Sequence, residues 1–74
     1  LAPLRPLSYR EVKRRLEAAG FAIYSQKGSH VKFVREDRDG LRTVIVPAHR
    51  EIAVGTLRSI LRQAGLTPEE WESL

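Results

Sequence analysis

Gly28-Ser29-His30, with Lys32 two residues on, is the stretch of this sequence whose residue types could do chemistry. Histidine titrates near neutrality and moves protons at physiological pH. A lysine two positions along a strand shares the histidine's face and could hold a phosphate. A serine amide freed by a tight glycine turn could approach a phosphate oxygen. Together these groups suit cleavage of RNA without a metal: a base takes the 2′-hydroxyl proton, and cations stabilise the charge of the phosphorane. The plainer reading makes His30 a surface strand residue, and spacing alone does not decide between the two.

Other candidates surround this stretch. His49 suits a structural or phosphate-holding role better than proton transfer. Gly55 and Thr56 stand at a helix start, where free amides favour anions, but ordinary N-capping is the simpler explanation. Arg10, Lys13, Arg14 and Lys27 either bind RNA or keep the surface solvated. Tyr24 is a weaker candidate for stacking on a base, whereas Trp71 and Leu66 read as a hydrophobic staple.

Several chemistries fall away. No phosphate-binding Gly-Lys-Ser/Thr loop or dinucleotide glycine fingerprint occurs. Two histidines without cysteine make a protein zinc site improbable. Asp37-Arg38-Asp39-Gly40 has the look of a calcium loop, but Arg35 stands where the first acidic ligand belongs, so a hairpin turn is the better reading. No cofactor is expected.

The chain has 74 residues, enough for one small domain spanning 1–74, with 1–7 as an extended N-terminal segment. Hydrophobic residues make up 42% and charged residues 30%, an ordinary globular balance. The longest strongly apolar run, Val44-Ile45-Val46, is far too short for a membrane helix. Leu1 to Pro6 holds two prolines and no apolar core of a secretory signal, so a cytoplasmic, reducing location is expected. The net charge is +4, unevenly spread. Residues 1–35 carry eight basic and two acidic groups, and residues 36–74 carry five basic and seven acidic. A basic half on so small a body points to a polyanion partner.

The elements that must position these residues follow from pattern. Ser8 and Glu11 have capping-box spacing, and Tyr9, Val12, Leu16 and Ala19 make a helical stripe ending at Gly20. Phe21 to Lys27 alternates as a strand, with Phe21 and Ile23 on one face and Ala22 and Tyr24 on the other. Lys27-Gly28-Ser29 turns into a second strand, His30 to Arg35, whose apolar face is Val31 and Phe33. Asp39-Gly40 turns into a third, Leu41 to Val46, of ambiguous facing, which Pro47 ends. A connection over 47–54 leads to a helix carrying Leu57, Ile60, Leu61 and Ala64 and closed by Gly65. Thr67, Pro68 and Glu70 start a short helix, about Pro68 to Ser73. The expected architecture is an α+β sandwich, with both long helices on one face of an antiparallel meander. His30 and Lys32 lie on the open face, and the outer strands offer edges for pairing.

At this point the order of motifs resembles the HicA toxin family. The resemblance rests on Tyr9-Arg10-Glu11-Val12 with Leu16 and Gly20-Phe21, then Gly28-Ser29-His30 with Phe33, then Val46-Pro47-Ala48-His49. It continues through Gly55-Thr56-Leu57-Arg58, Ile60 and Arg62-Gln63-Ala64-Gly65-Leu66. It covers about residues 8 to 72. It implies a double-stranded-RNA-binding-domain-like α-β-β-β-α fold and an mRNA interferase, an endoribonuclease of a toxin–antitoxin system inhibited by a HicB-type antitoxin. The family's catalytic histidine falls on His30, with Gly28 and Ser29 as its Gly-Ser. RNA is then expected to contact Lys27, Gly28, Ser29, Lys32, Arg10, Lys13 and Arg14, with no metal and no membrane. The chain would be a monomer alone and a hetero-oligomer with its antitoxin.

The same architecture also serves non-catalytic modules that read double-stranded RNA by shape. Such a module needs basic residues at the start of the second long helix. Here Pro47 to Thr56 offers only Arg50, beside Glu51, which weighs against it. A purely structural domain would show no RNA affinity of steep salt dependence.

Overall fold

Ser8 opens the first helix of the computed structural model, which describes residues 3–74. Its Oγ accepts the Glu11 N–H at 3.1 Å and caps α1, Tyr9–Ala18. The Glu11 carboxylate does not return to Ser8 to complete a capping box. It is held instead by Arg14 Nε and Nη2, at 2.9 and 2.7 Å, and by Arg15 Nε at 2.7 Å. Charge-assisted bonds of this kind outcompete a neutral amide donor. The helix closes as Phe21 N–H reaches Leu16 O and Gly20 N–H reaches Glu17 O.

Three strands follow: β2, Ala22–Lys27, β3, His30–Asp37, and β4, Gly40–Pro47, in the antiparallel order β2-β3-β4. Two-residue strands β1, Leu7–Ser8, and β5, Glu51–Ile52, form a separate antiparallel pair. Pairing of residues 7–8 and 51–52 ties the segment before α1 to the connection before α2. Two residues are too few to show a period, so neither strand is visible as a pattern. Helix α2, Val54–Ala64, begins earlier than the Thr56 cap would allow. Ala53 is its N-cap, with no side-chain bond, and Thr56 lies in the first turn. Helix α3, Pro68–Glu72, has the full reciprocal box: Thr67 Oγ1 accepts Glu70 N–H at 3.0 Å, and Glu70 Oε1 accepts Thr67 N–H at 2.8 Å.

The core is one apolar cluster. Val12 and Leu16 of α1, Val31 and Phe33 of β3, Val44 and Val46 of β4, and Leu57, Ile60, Leu61 and Ala64 of α2 meet in it, with Phe21, Ile52 and Trp71. The helices therefore lie on one face of the meander. Its other face is open, giving a two-layer α-β-β-β-α fold with a short C-terminal helix. The ambiguous strand resolves here: Val44 and Val46 point inward, while Ile45 and Leu41 are exposed. Among the described residues no helix is long and apolar enough to cross a membrane.

The two sheet edges differ from simple open strands. On β4 the Ile45 N–H is taken by Gln63 Oε1 of α2 at 2.9 Å. On β2 the register shifts between Ile23 and Ser25, leaving Tyr24 as an extra residue opposite β3. A side-chain plug and a bulge are both ways of blunting an edge.

Candidate active site on the open sheet face

The β2–β3 hairpin turns through two residues, Gly28 and Ser29. Gly28 has φ 59°, while no residue other than glycine has a positive φ among the described residues. A positive-φ glycine in the first central position marks a type II′ turn, whose twist matches the strands it joins. Two bonds hold this turn from outside. Gln26 Nε2 donates to Gly28 O at 3.1 Å. Ala48 N–H, just beyond β4, donates to Ser29 O at 2.6 Å.

His30 is the first residue of β3. It stands opposite Lys27 of β2 on one side and Pro47 of β4 on the other. Lys32 stands opposite Ser25 and Ile45. Residues paired across antiparallel strands share a face, so Lys27, His30 and Lys32 lie together on the open face. Simple alternation from Phe21 would have put Lys27 on the inner face instead. The extra residue Tyr24 reverses the parity of the rest of β2 and carries Lys27 across to the histidine. No local composition marks a bulge, so this juxtaposition is the feature that sequence patterning missed.

Several charges elsewhere are paired. On α1, Lys13 pairs with Glu17 at 3.1 Å, and Arg14 and Arg15 share Glu11. The Arg14 guanidinium, then Arg15, pulls the Glu11 carboxyl down to about 2. At the far end of the meander, Asp37 receives Arg35 at 2.7 Å and Arg42 at 3.2 Å, and is held below the usual carboxylate range, mostly by Arg35. The side chains of Lys27 and His30 make no hydrogen bond or ion pair among the described residues, although their backbones pair in the β2–β3 ladder. Lys32 Nζ lies 5.5 Å from the centroid of the Tyr24 ring. Unpaired positive charge is thus left beside the imidazole.

Not all expected contact residues gather here. Lys27, Gly28, Ser29, His30 and Lys32 form one cluster. Arg10, Lys13 and Arg14 lie on α1, in the layer behind the sheet, and Lys13 and Arg14 already have carboxylate partners. His49 is exposed and follows Ala48, so the backbone of its segment is tied to the Gly28-Ser29 turn. Trp71 is buried under Arg15, which lies 5.4 Å from its ring, in keeping with a packing role.

A family model described as the HicA toxin of bacterial toxin–antitoxin systems matches residues 9–66. The chain belongs to the HicA toxin family. As a HicA chain it is the toxin component of a toxin–antitoxin system, and such a system includes a cognate antitoxin. The matched stretch of this HicA domain runs from the first residue of α1 to just past α2. It includes the whole meander and the hairpin turn that carries His30. Among curated proteins the comparison finds no match.

Proposed function

We propose that this HicA chain is a metal-independent endoribonuclease that cleaves mRNA in the cytoplasm, with His30 as its catalytic residue. The observation that carries the reading is the bulge-set alignment of Lys27, His30 and Lys32 on an open sheet face.

RNA would lie across this face. His30 takes the proton of the 2′-hydroxyl. The 2′-oxygen bonds to phosphorus as the bond to the 5′-oxygen breaks, and the leaving oxygen is protonated. Lys32 and Lys27 stabilise the charge that grows on the phosphoryl oxygens. The Ser29 amide, at the turn, adds a neutral donor. The products are a 2′,3′-cyclic phosphate and a 5′-hydroxyl end. Arg10, with no partner on α1 among the described residues, and Lys13 and Arg14 beside it lie behind the sheet and would meet only flanking phosphates of RNA that passes round the sheet edge.

A HicB-type antitoxin would neutralise the toxin by covering the same face. Leu41, 67% exposed, and Ile45, 39% exposed, are apolar and lie on it with His30. A protein laid there buries apolar area and excludes RNA in one step.

The decisive test is cleavage of RNA in chelator by the wild-type chain and by His30→Ala, with thermal melts of both. The expected result is loss of about a hundredfold or more in rate with equal melts. Full activity only with added magnesium, or equal cleavage by both chains, would overturn the proposal. RNA binding of steep salt dependence without cleavage would favour a non-catalytic double-stranded RNA module.

A further inference from the structure

We propose that Tyr24 and Lys32 form a subsite that stacks one unpaired nucleobase and fixes which nucleotide is presented to His30. This rests on the reading that single-stranded RNA crosses the open sheet face.

Tyr24 is the extra residue of the β2 bulge. It is 68% exposed, whereas Phe21, Phe33 and Trp71 are all buried. A bulge re-aims a side chain, and here the ring comes to the face of Lys32, whose ammonium lies 5.5 Å from its centroid. The ammonium orients the ring without covering it. An exposed aromatic ring beside a cation is the general means of holding an unstacked base, because every base offers a π-face.

Position gives the subsite its purpose. Lys32 is two residues from His30 on one strand face, about 7 Å along it. It therefore touches both the stacking ring and the phosphate path to the imidazole. A base held on Tyr24 sets the register of the strand, so the phosphate that meets His30 is chosen by a neighbour on Tyr24. Ser25, opposite Lys32 and next to Tyr24, offers a hydroxyl to the edge of that base. The subsite takes an unpaired nucleotide and rejects a base locked in a duplex.

The test uses His30→Ala as a non-cleaving background and a short, fluorescently labelled, single-stranded oligoribonucleotide. Tyr24→Leu should weaken binding by on the order of tenfold, and Tyr24→Phe should restore it. The salt dependence of binding should not change in Tyr24→Leu, because no phosphate contact is lost. An abasic residue scanned along the oligonucleotide should weaken binding sharply at one position, and that penalty should vanish in Tyr24→Leu. With His30 intact, Tyr24→Leu should spread cleavage over more sites. Equal binding by Tyr24→Leu and wild type, or an abasic penalty unchanged in the variant, overturns the subsite. If the wild-type chain does not cleave but the tyrosine dependence holds, the nuclease reading falls and the subsite stands. If no variant binds the oligonucleotide, both fall.

Discussion

Lys27 faces His30 directly across the hairpin, although alternation along β2 would turn the lysine to the other side of the sheet. The pairing exists because Tyr24 interrupts the alternation three residues earlier. Lys27→Ala is expected to lower the cleavage rate about tenfold while leaving the melt unchanged, and Lys27→Arg to keep most of it. Rates on a defined oligoribonucleotide, with parallel melts, check this. A normal rate in Lys27→Ala would remove the lysine from the site.

Gly28 has φ 59°, and a Cβ added to it would meet nothing within 4 Å, so a methyl group there clashes with no neighbour. The cost of Gly28→Ala is then one of backbone strain, about 1–2 kcal/mol. Denaturant unfolding measures it. Activity should fall further than stability alone accounts for, because the turn aims His30.

Glu11 supplies an acid limit to stability. Its carboxyl is drawn down to about 2 by Arg14 and then Arg15. A depressed folded-state value means that the carboxylate's contribution is complete above its ordinary value of 4.5 and is lost as pH falls toward about 2. The melting difference between wild type and Glu11→Gln should therefore be largest at neutral pH and shrink across that window. A difference that stays constant from neutral pH to about pH 2 would contradict the assignment.

Arg15 fastens α1 to α3. Its side chain is 12% exposed, bonds Glu11, Glu72 and the Trp71 carbonyl, and lies over the Trp71 ring. Arg15→Ala should cost about 2 kcal/mol by denaturant unfolding, against less than about 0.5 for Arg10→Ala, whose side chain is exposed. Equal effects of the two would show that the α1–α3 link contributes little.

Much of this was legible from spacing. Helix stripes at Val12 and Leu16, and at Leu57, Ile60, Leu61 and Ala64, name the residues that are buried. The glycine turn at Gly28 fixes where β3 begins. What escaped lies in relationships between segments. The bulge at Tyr24 is a register choice forced by β3. Strand pairing of residues 7–8 with 51–52 joins segments far apart in the chain. Capping of α2 moved upstream to Ala53, with Thr56 left inside the helix. The Glu11 carboxylate satisfied two guanidiniums rather than its own helix start. Local propensity sees none of these competitions, because each is decided by a partner elsewhere in the chain.

The Ala48 amide on the Ser29 carbonyl has a consequence for the chain as it is made. Synthesis runs from the N-terminus, and the β2–β3 hairpin emerges well before residue 48. A nascent chain that has reached only β3 already contains Lys27, His30 and Lys32, yet the turn between the lysine and the histidine lacks its second tether. The tether arrives with β4, whose burial of Val44 and Val46 also requires α2. Assembly of the His30 face therefore waits until β4 and α2, residues 40–64, have been made.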